Sequence, residues 1–219
     1  MSHETRKIPS KIARIPDYSL EESLGAPGLR IAGIDEVGRG AWAGPVVAAA
    51  VILTHGQIPD GIRDSKLLRK PQREEIFERI TRSADFAVGI IDSEEIDRIN
   101  ILQASLKAMA LAAAKLPRPP QALLVDGRQT PGLSGPLSRI PARAIVKGDS
   151  KSLSIAAASI VAKVTRDRLM TELAKDGPAY GWESNAGYGT RTHRDALNRF
   201  GVSKQHRRSF FPIHKILSQ

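Results

Sequence analysis

One segment limits the possible architecture more than any other. From Leu153 to Lys175, "LSIAAASIVAKVTRDRLMTELAK" is small and apolar on most faces. A surface helix carries a single apolar stripe, so a helix like this one is expected to lie buried, packed tightly against a sheet. The strands of that sheet are legible upstream. "LRIAGID" and "PVVAAAVIL" read as two strands joined by a Gly-rich connection, most simply an antiparallel pair, and "DFAVGIIDS" as a third. "KPQREEIFERITRSA" has helical spacing, and "SEEIDRINILQASLKAMALAAAKL" opens with acids that suit the helix dipole. After a Pro-rich linker, "ALLVDG" gives a short buried strand ending on Asp126-Gly127, and "ARAIVKGDS" a strand ending near Asp149. A three-strand meander followed by further strands and helices describes an α/β protein with a mixed sheet covered by helices. Residues 1–28 read as a basic, flexible lead-in to a folded domain at 29–219.

Composition narrows the partner. The 219 residues include 33 Lys and Arg against 23 Asp and Glu, a formal charge of +10. That excess points to a polyanion, nucleic acid first, although a solvated basic surface fits the charge equally well. With no cysteine, disulfides and Cys-ligated zinc are excluded, and the five histidines show no HExxH spacing. No apolar run is long enough to cross a bilayer, and the N-terminus lacks the apolar core of a signal peptide. The cytoplasm is the expected location and a monomer the default state.

Four acids carry the chemistry. Asp35, Glu36, Asp126 and Asp149 each fall at or near the C-terminal end of an expected strand, so neighbouring strands would gather them at one sheet edge. Carboxylates crowded in this way repel one another, and oxygen-preferring Mg²⁺ or Mn²⁺ relieves the repulsion. Two such ions about 3.5–4 Å apart would activate water and stabilise a leaving oxygen in phosphodiester hydrolysis. Taken alone, Asp126-Gly127 also reads as a strand-ending turn, and Asp149 as a helix N-cap. Asp35-Glu36 resists such readings, because a turn needs at most one acid. A strict strand would send the pair to opposite faces, so either Glu36 reaches around or the backbone bends.

Gly38-Arg39-Gly40 follows at once. The glycines let backbone approach a ligand closely, although a glycine hairpin is the plainer reading of the tripeptide alone. Tyr188 sits between two glycines, where a turn tyrosine is the plain alternative. Lys66 in "DSKLL" and Lys147 in "KGD" read as phosphate contacts or as solvated lysines. In "HRRSFF", Phe210 and Phe211 are expected in the core and Arg207 and Arg208 on the surface. Ser150 and Lys163 are candidates for holding Asp149 or its helix.

Together, "GIDEVGRGAWAGPVVAAAVIL", "DSKLL", "LLVDG", "KGDSKSLSIAAASIVAKVTRD", "GYGT" and "HRRSF" resemble bacterial ribonuclease HII, in family order from about Ile31 to Phe211. The resemblance implies a ribonuclease H-like fold, with a five-stranded mixed sheet, flanking helices and a helical C-terminal extension over about 176–219. It implies hydrolysis of RNA in RNA–DNA hybrids, and of duplex DNA on the 5′ side of a single embedded ribonucleotide, leaving 3′-hydroxyl and 5′-phosphate ends. Carried over, the metal ligands fall on Asp35, Glu36, Asp126 and Asp149, the ribonucleotide-sensing loop on Gly38, Arg39 and Gly40, and a sugar-stacking ring on Tyr188. A 2′-hydroxyl distinguishes RNA from DNA, and backbone groups can hold it where a side chain would collide.

Trp42 departs from the family, standing where a smaller apolar residue is usual, and is expected either to pack on the core or to stack near substrate. Ribonuclease HIII shares the fold but usually carries an extra N-terminal domain. A non-catalytic basic binding module does not need the acids, and other nucleases of the fold do not need the glycine loop.

Overall fold

The computed structural model describes residues 15–176 and 178–218. Its core is one five-stranded sheet, built from β1 (Ile31–Val37), β2 (Val46–Leu53), β3 (Ala84–Ile91), β4 (Ala122–Asp126) and β5 (Ala142–Ile145), in the order β3-β2-β1-β4-β5. β1, β2 and β3 form the expected antiparallel meander, and β4 and β5 add in parallel beside β1. The sheet is therefore mixed. β2 is buried along its whole length, as its unbroken apolar sequence requires of a strand covered on both faces.

The helices are α1 (Ser19–Ser23), α2 (Lys70–Ser83), α3 (Ser93–Ala114), α4 (Leu153–Asp176), α5 (Trp182–Asn185), α6 (Arg191–Phe200) and α7 (Phe211–Leu217). α3 covers one face through Ala104, Ala108, Met109 and Ala112. α2 and α4 cover the other through Ile76, Ile80, Ala157 and Val161. The small-residue character of α4 has its cause at β1. A Cβ placed on Gly33 would lie 2.1 Å from the Ser154 carbonyl carbon, so the helix backbone rides directly on the strand. α3 is not one continuous helix. Asn100 (φ 66, ψ 162) interrupts it, and the Asn100 side chain accepts from the Leu102 and Gln103 amides, restarting the helix as an N-cap does.

Three other expectations change. Residues 1–14 of the lead-in lie outside the described residues, but 17–26 are folded onto the domain. Leu20, Leu24 and Ala26 pack on Ile31, Leu124 and Ile155, and the buried Glu21 carboxylate accepts from the Ser152 and Ser154 hydroxyls and the Ser154 amide at the head of α4. A carboxylate there meets unsatisfied amides and the positive end of a helix dipole, which draws in a segment whose sequence looks like a polar tail. β5 stops at Ile145, short of Asp149, because Lys147 turns left-handed (φ 56) and starts a 3-10 turn over Gly148–Ser150. In "HRRSFF" the order of burial is largely inverted. Arg207 is fully buried, Phe210 is partly buried and Phe211 is 78% exposed. Arg208 is at the surface as expected.

Beyond α4 the C-terminal extension forms its own cluster, in which Tyr180, Trp182, Leu197 and Ile213 enclose Met170 and Ala43.

Candidate active site

Asp35 and Glu36 remain inside β1, opposite Ala49 and Ala48 respectively. Ala49 belongs to the α4 side of the sheet and Ala48 to the α3 side, so the two acids point to opposite faces and the strand does not bend. Asp35 is only 5% exposed. Its Oδ1 accepts from the Glu36 amide at 2.7 Å. Asp126 ends β4, next to β1, and its Oδ1 accepts from the Gly148 amide at 2.6 Å. That bond joins the turn carrying Asp149 to the end of β4. Glu36 and Asp126 line one cleft of about 390 Å³ together with Arg39, Gly127, Arg128 and Gln129.

The acids perturb one another. Burial first, then Glu36 and Asp126 and more weakly Asp149, pushes the Asp35 carboxyl well above the usual range. Burial also raises Glu36, against the pull of Arg39. Asp149 is raised by burial, then by Asp64 and Asp126. Asp64, which precedes Ser65-Lys66, is a fifth acid that the sequence reading passed over although it lies inside a quoted motif. Groups whose ionisation is opposed by burial and by like charge are the ones a divalent cation stabilises.

The acids do not form a finished chelate. Among the described residues, no three His, Asp or Glu side chains are grouped in a way that could hold a metal ion as they stand. Two cations of the chain occupy their oxygens instead. Arg39 pairs with Glu36 at 3.0 Å, and Lys66 reaches Asp149 at 3.5 Å and Asp64 at 3.9 Å. Burial opposes the Lys66 charge, but Asp64, Asp149 and Asp35 outweigh it and raise its pKa. Glu36 Oε2 is buried with no hydrogen-bond partner. An orphaned carboxylate oxygen beside others is the donor chemistry that suits a hard divalent ion, so the residues fit one once Arg39 and Lys66 turn aside.

Glycine loop and tyrosine adjoin the acids. Gly38 has φ 93 and is buried, and a Cβ there would lie 2.1 Å from Nε of Arg166. Gly40 is open, and a Cβ there would lie 3.9 Å from the Tyr188 ring. Tyr188 is 37% exposed, and the Arg166 guanidinium lies 5.7 Å from its ring centroid. A buried chain fixes this tyrosine from behind. The Ser203 amide donates to His206 Nδ1, His206 Nε2 meets His193 Nε2 at 3.0 Å, and His193 Nδ1 meets the Tyr188 carbonyl at 3.0 Å. One proton arrangement satisfies it, with both rings neutral, His206 donating from Nε2 and His193 from Nδ1. Burial pushes both histidines below their ordinary value, His206 to about 4 with His193 as second cause.

The remaining candidates separate. Lys147 is exposed and makes no ion pair among the described residues. Ser150 donates to the Lys147 carbonyl and Lys163 pairs with Asp167, so neither holds Asp149. Trp42 packs on the C-terminal cluster, with its indole so close to Gly189 that a Cβ there would lie 2.2 Å away. Arg166, Arg207, His193 and His206 were missed as a supporting layer. Arg166 lies inside "KGDSKSLSIAAASIVAKVTRD" and His206 and Arg207 inside "HRRSF", whereas His193 falls in no such motif.

Comparison with known proteins places the chain in a family. The family profile described as Ribonuclease HII matches residues 32–212. The chain is 54% identical over 206 residues to "Ribonuclease HII" of Ruegeria pomeroyi, covering 93% of this chain and 86% of that one. It is 54% identical to "Ribonuclease HII" of Paracoccus denitrificans, covering 92% and 95%. The ribonuclease H2 of Pyrococcus horikoshii OT3 superposes with a TM-score of 0.71 at 27% identity, covering 87% of this chain and 98% of that one.

Proposed function

The chain belongs to the ribonuclease HII family, is a type 2 ribonuclease H endoribonuclease, and on that premise we propose that it hydrolyses RNA in RNA–DNA hybrids and cuts duplex DNA on the 5′ side of a single ribonucleotide. The observation that carries this reading is the adjacency of crowded, burial-perturbed acids to a glycine-flanked loop whose open Gly40 faces a half-exposed tyrosine.

Asp35, Glu36, Asp126 and Asp149 would hold two divalent ions, Mg²⁺ or Mn²⁺. When bound, such ions supply Lewis-acid activation of water and neutralise charge on the scissile phosphate. Water adds to phosphorus and the upstream 3′ oxygen leaves, so the upstream strand ends in a 3′-hydroxyl and the ribonucleotide keeps a 5′-phosphate. The chain's own residues orient the reacting groups. Lys66, its side chain largely exposed but paired with Asp149 at 3.5 Å, stands beside the acids where a substrate phosphate would come within its reach. Lys147 is a weaker phosphate contact at the rim. Gly38, Arg39 and Gly40 offer backbone to the 2′-hydroxyl, and Tyr188 lays its ring on the next sugar, accepting only a deoxyribose. Hybrid and ribonucleotide-containing duplex are thus the partners. No helix among the described residues is long and apolar enough to cross a membrane.

The test is cleavage of a DNA duplex carrying one ribonucleotide, with Mg²⁺ or Mn²⁺, beside an all-DNA duplex and the Asp126→Asn protein. The expected result is a single metal-dependent cut on the 5′ side of the ribonucleotide, lost in Asp126→Asn while duplex binding persists. Wild-type turnover by Asp126→Asn would remove that residue from the site.

A further inference from the structure

Beneath the glycine loop lie two arginines, Arg166 and Arg207, each with no solvent exposure. Buried guanidinium groups are ordinarily matched with carboxylates. These two are not. Every hydrogen bond from their side chains goes to a backbone carbonyl. Arg166 donates to Pro45 at 2.8 Å, Ala186 at 2.8 Å and Ala43 at 3.2 Å. Arg207 donates to Gly44 at 3.0 Å and to Arg39 at 3.0 Å, and its own amide takes the Trp42 carbonyl at 2.8 Å. The arrangement is costly, since burial and mutual repulsion lower the Arg207 pKa to about 9 and one of its nitrogens has no partner.

These bonds have a directional result. A peptide unit whose carbonyl is held inward presents its N–H on the opposite edge. Arg207 holds the Arg39 carbonyl from below and so leaves the Gly40 N–H of the same peptide unit on the opposite edge. The Trp42, Ala43 and Gly44 amides, by contrast, are taken by Gly187 and Gln205, and the Gly38 carbonyl accepts from Ala41. Among the described residues, the amides of Arg39 and Gly40 donate to nothing in the chain. Both residues are exposed. The open face is therefore one of donors, backed by two positive charges, and it suits an acceptor oxygen of a sugar or phosphate. Gly38 is required by the same layer, because any side chain there would collide with Arg166.

We propose that Arg166 and Arg207 are positioning residues for ribonucleotide discrimination: Arg207 turns the Gly40 amide outward, and Arg166 backs Gly38 and holds Tyr188 against that segment. Neither touches substrate. The inference rests on the sugar-reading role assigned above, and the test keeps the two apart.

Arg166→Lys and Arg207→Lys keep the charge, but an ammonium cannot span two or three carbonyls as the planar fork does. Each is made in the Asp126→Asn protein, which is expected to bind without cutting. Affinity is then measured for a duplex with one ribonucleotide and for the same duplex in all-DNA form. The expected outcome is a roughly tenfold fall in the preference for the ribonucleotide duplex, the scale of one or two lost hydrogen bonds, with all-DNA affinity within about twofold of the parent. Folded variants that keep the parent's preference overturn the arginine inference and leave sugar reading intact. A parent with no preference overturns both. If neither lysine variant folds, the Arg166 and Arg207 side-chain N–H resonances are followed in the Asp126→Asn parent. A shift on adding the ribonucleotide duplex, and not the all-DNA duplex, supports the proposal. Equal behaviour with both duplexes overturns it.

Discussion

The two glycines of "GRG" are glycines for different reasons. Gly38 meets Arg166 from below and has a positive φ, so Gly38→Ala is doubly opposed. It should lower stability by about 1–3 kcal/mol, read as a drop in the urea midpoint. Gly40 has no such restriction, and a Cβ there makes only ordinary contact with Tyr188. Gly40→Ala should leave the urea midpoint nearly unchanged and reduce cleavage at a single ribonucleotide, because the methyl group stands on the open face. A midpoint shift as large as that of Gly38→Ala would mean the loop is tighter than its geometry. The tripeptide was legible as a place of close backbone approach, and the acids as a cluster, because strand ends and residue types are local. Arg166 was not. Its contact with Gly38 joins segments far apart in sequence, and an arginine inside "AKVTRD" looks like any polar residue on a helix.

Elements were legible where burial dictates a period. β2 announces itself by an unbroken apolar run and the first half of α4 by its small apolar residues, whereas β2 and β3 pair across a long connection that holds α2. The break in α3 is hidden because Asn100 acts through its own side chain, with no glycine or proline to mark it. α1 is hidden for a further reason, since "SLEES" has the composition of a solvated tail. Its Glu21 nonetheless closes the head of α4, whose first turn leads back through Ser152 to Gly148 and the turn bearing Asp149. Replacing Glu21 with Ala leaves two hydroxyls and an amide without their acceptor. The expected cost is about 1–3 kcal/mol, seen in thermal melts. Glu21→Gln, which retains one acceptor oxygen, should recover part of it. If Glu21→Ala melts like the parent, the carboxylate is not holding α4.

For the whole molecule, pH tests how the halves are joined. Burial keeps His206 neutral down to about pH 4, whereas in the unfolded chain it titrates near its ordinary value of about 6.5. Its folded pKa is depressed, so the unfolded state takes up the proton first. The stability it contributes is complete above about pH 6.5 and is lost as pH falls toward 4, by roughly 3 kcal/mol at most. Asp35, Glu36 and Asp149 act in the opposite sense, because their folded pKa values are raised and protonation favours the folded state. The two groups offset each other in any single titration. Urea midpoints taken from pH 7 to 4.5 should fall less steeply in His206→Gln than in the parent, and parallel curves would show that His206 does not carry the dependence. Divalent metal should raise the melting temperature at neutral pH, where the acids are most in conflict, and Asp126→Asn should weaken that rise.

The buried arginine layer also sets an order in time. Synthesis runs from the N-terminus, so a chain leaving the ribosome possesses Asp35, Glu36, Asp126 and Asp149 before it possesses Arg166, and Arg166 before Arg207. The four acids are therefore made before both arginines. Because α4 covers the sheet and itself carries Arg166, only Arg207 arrives after that core is complete.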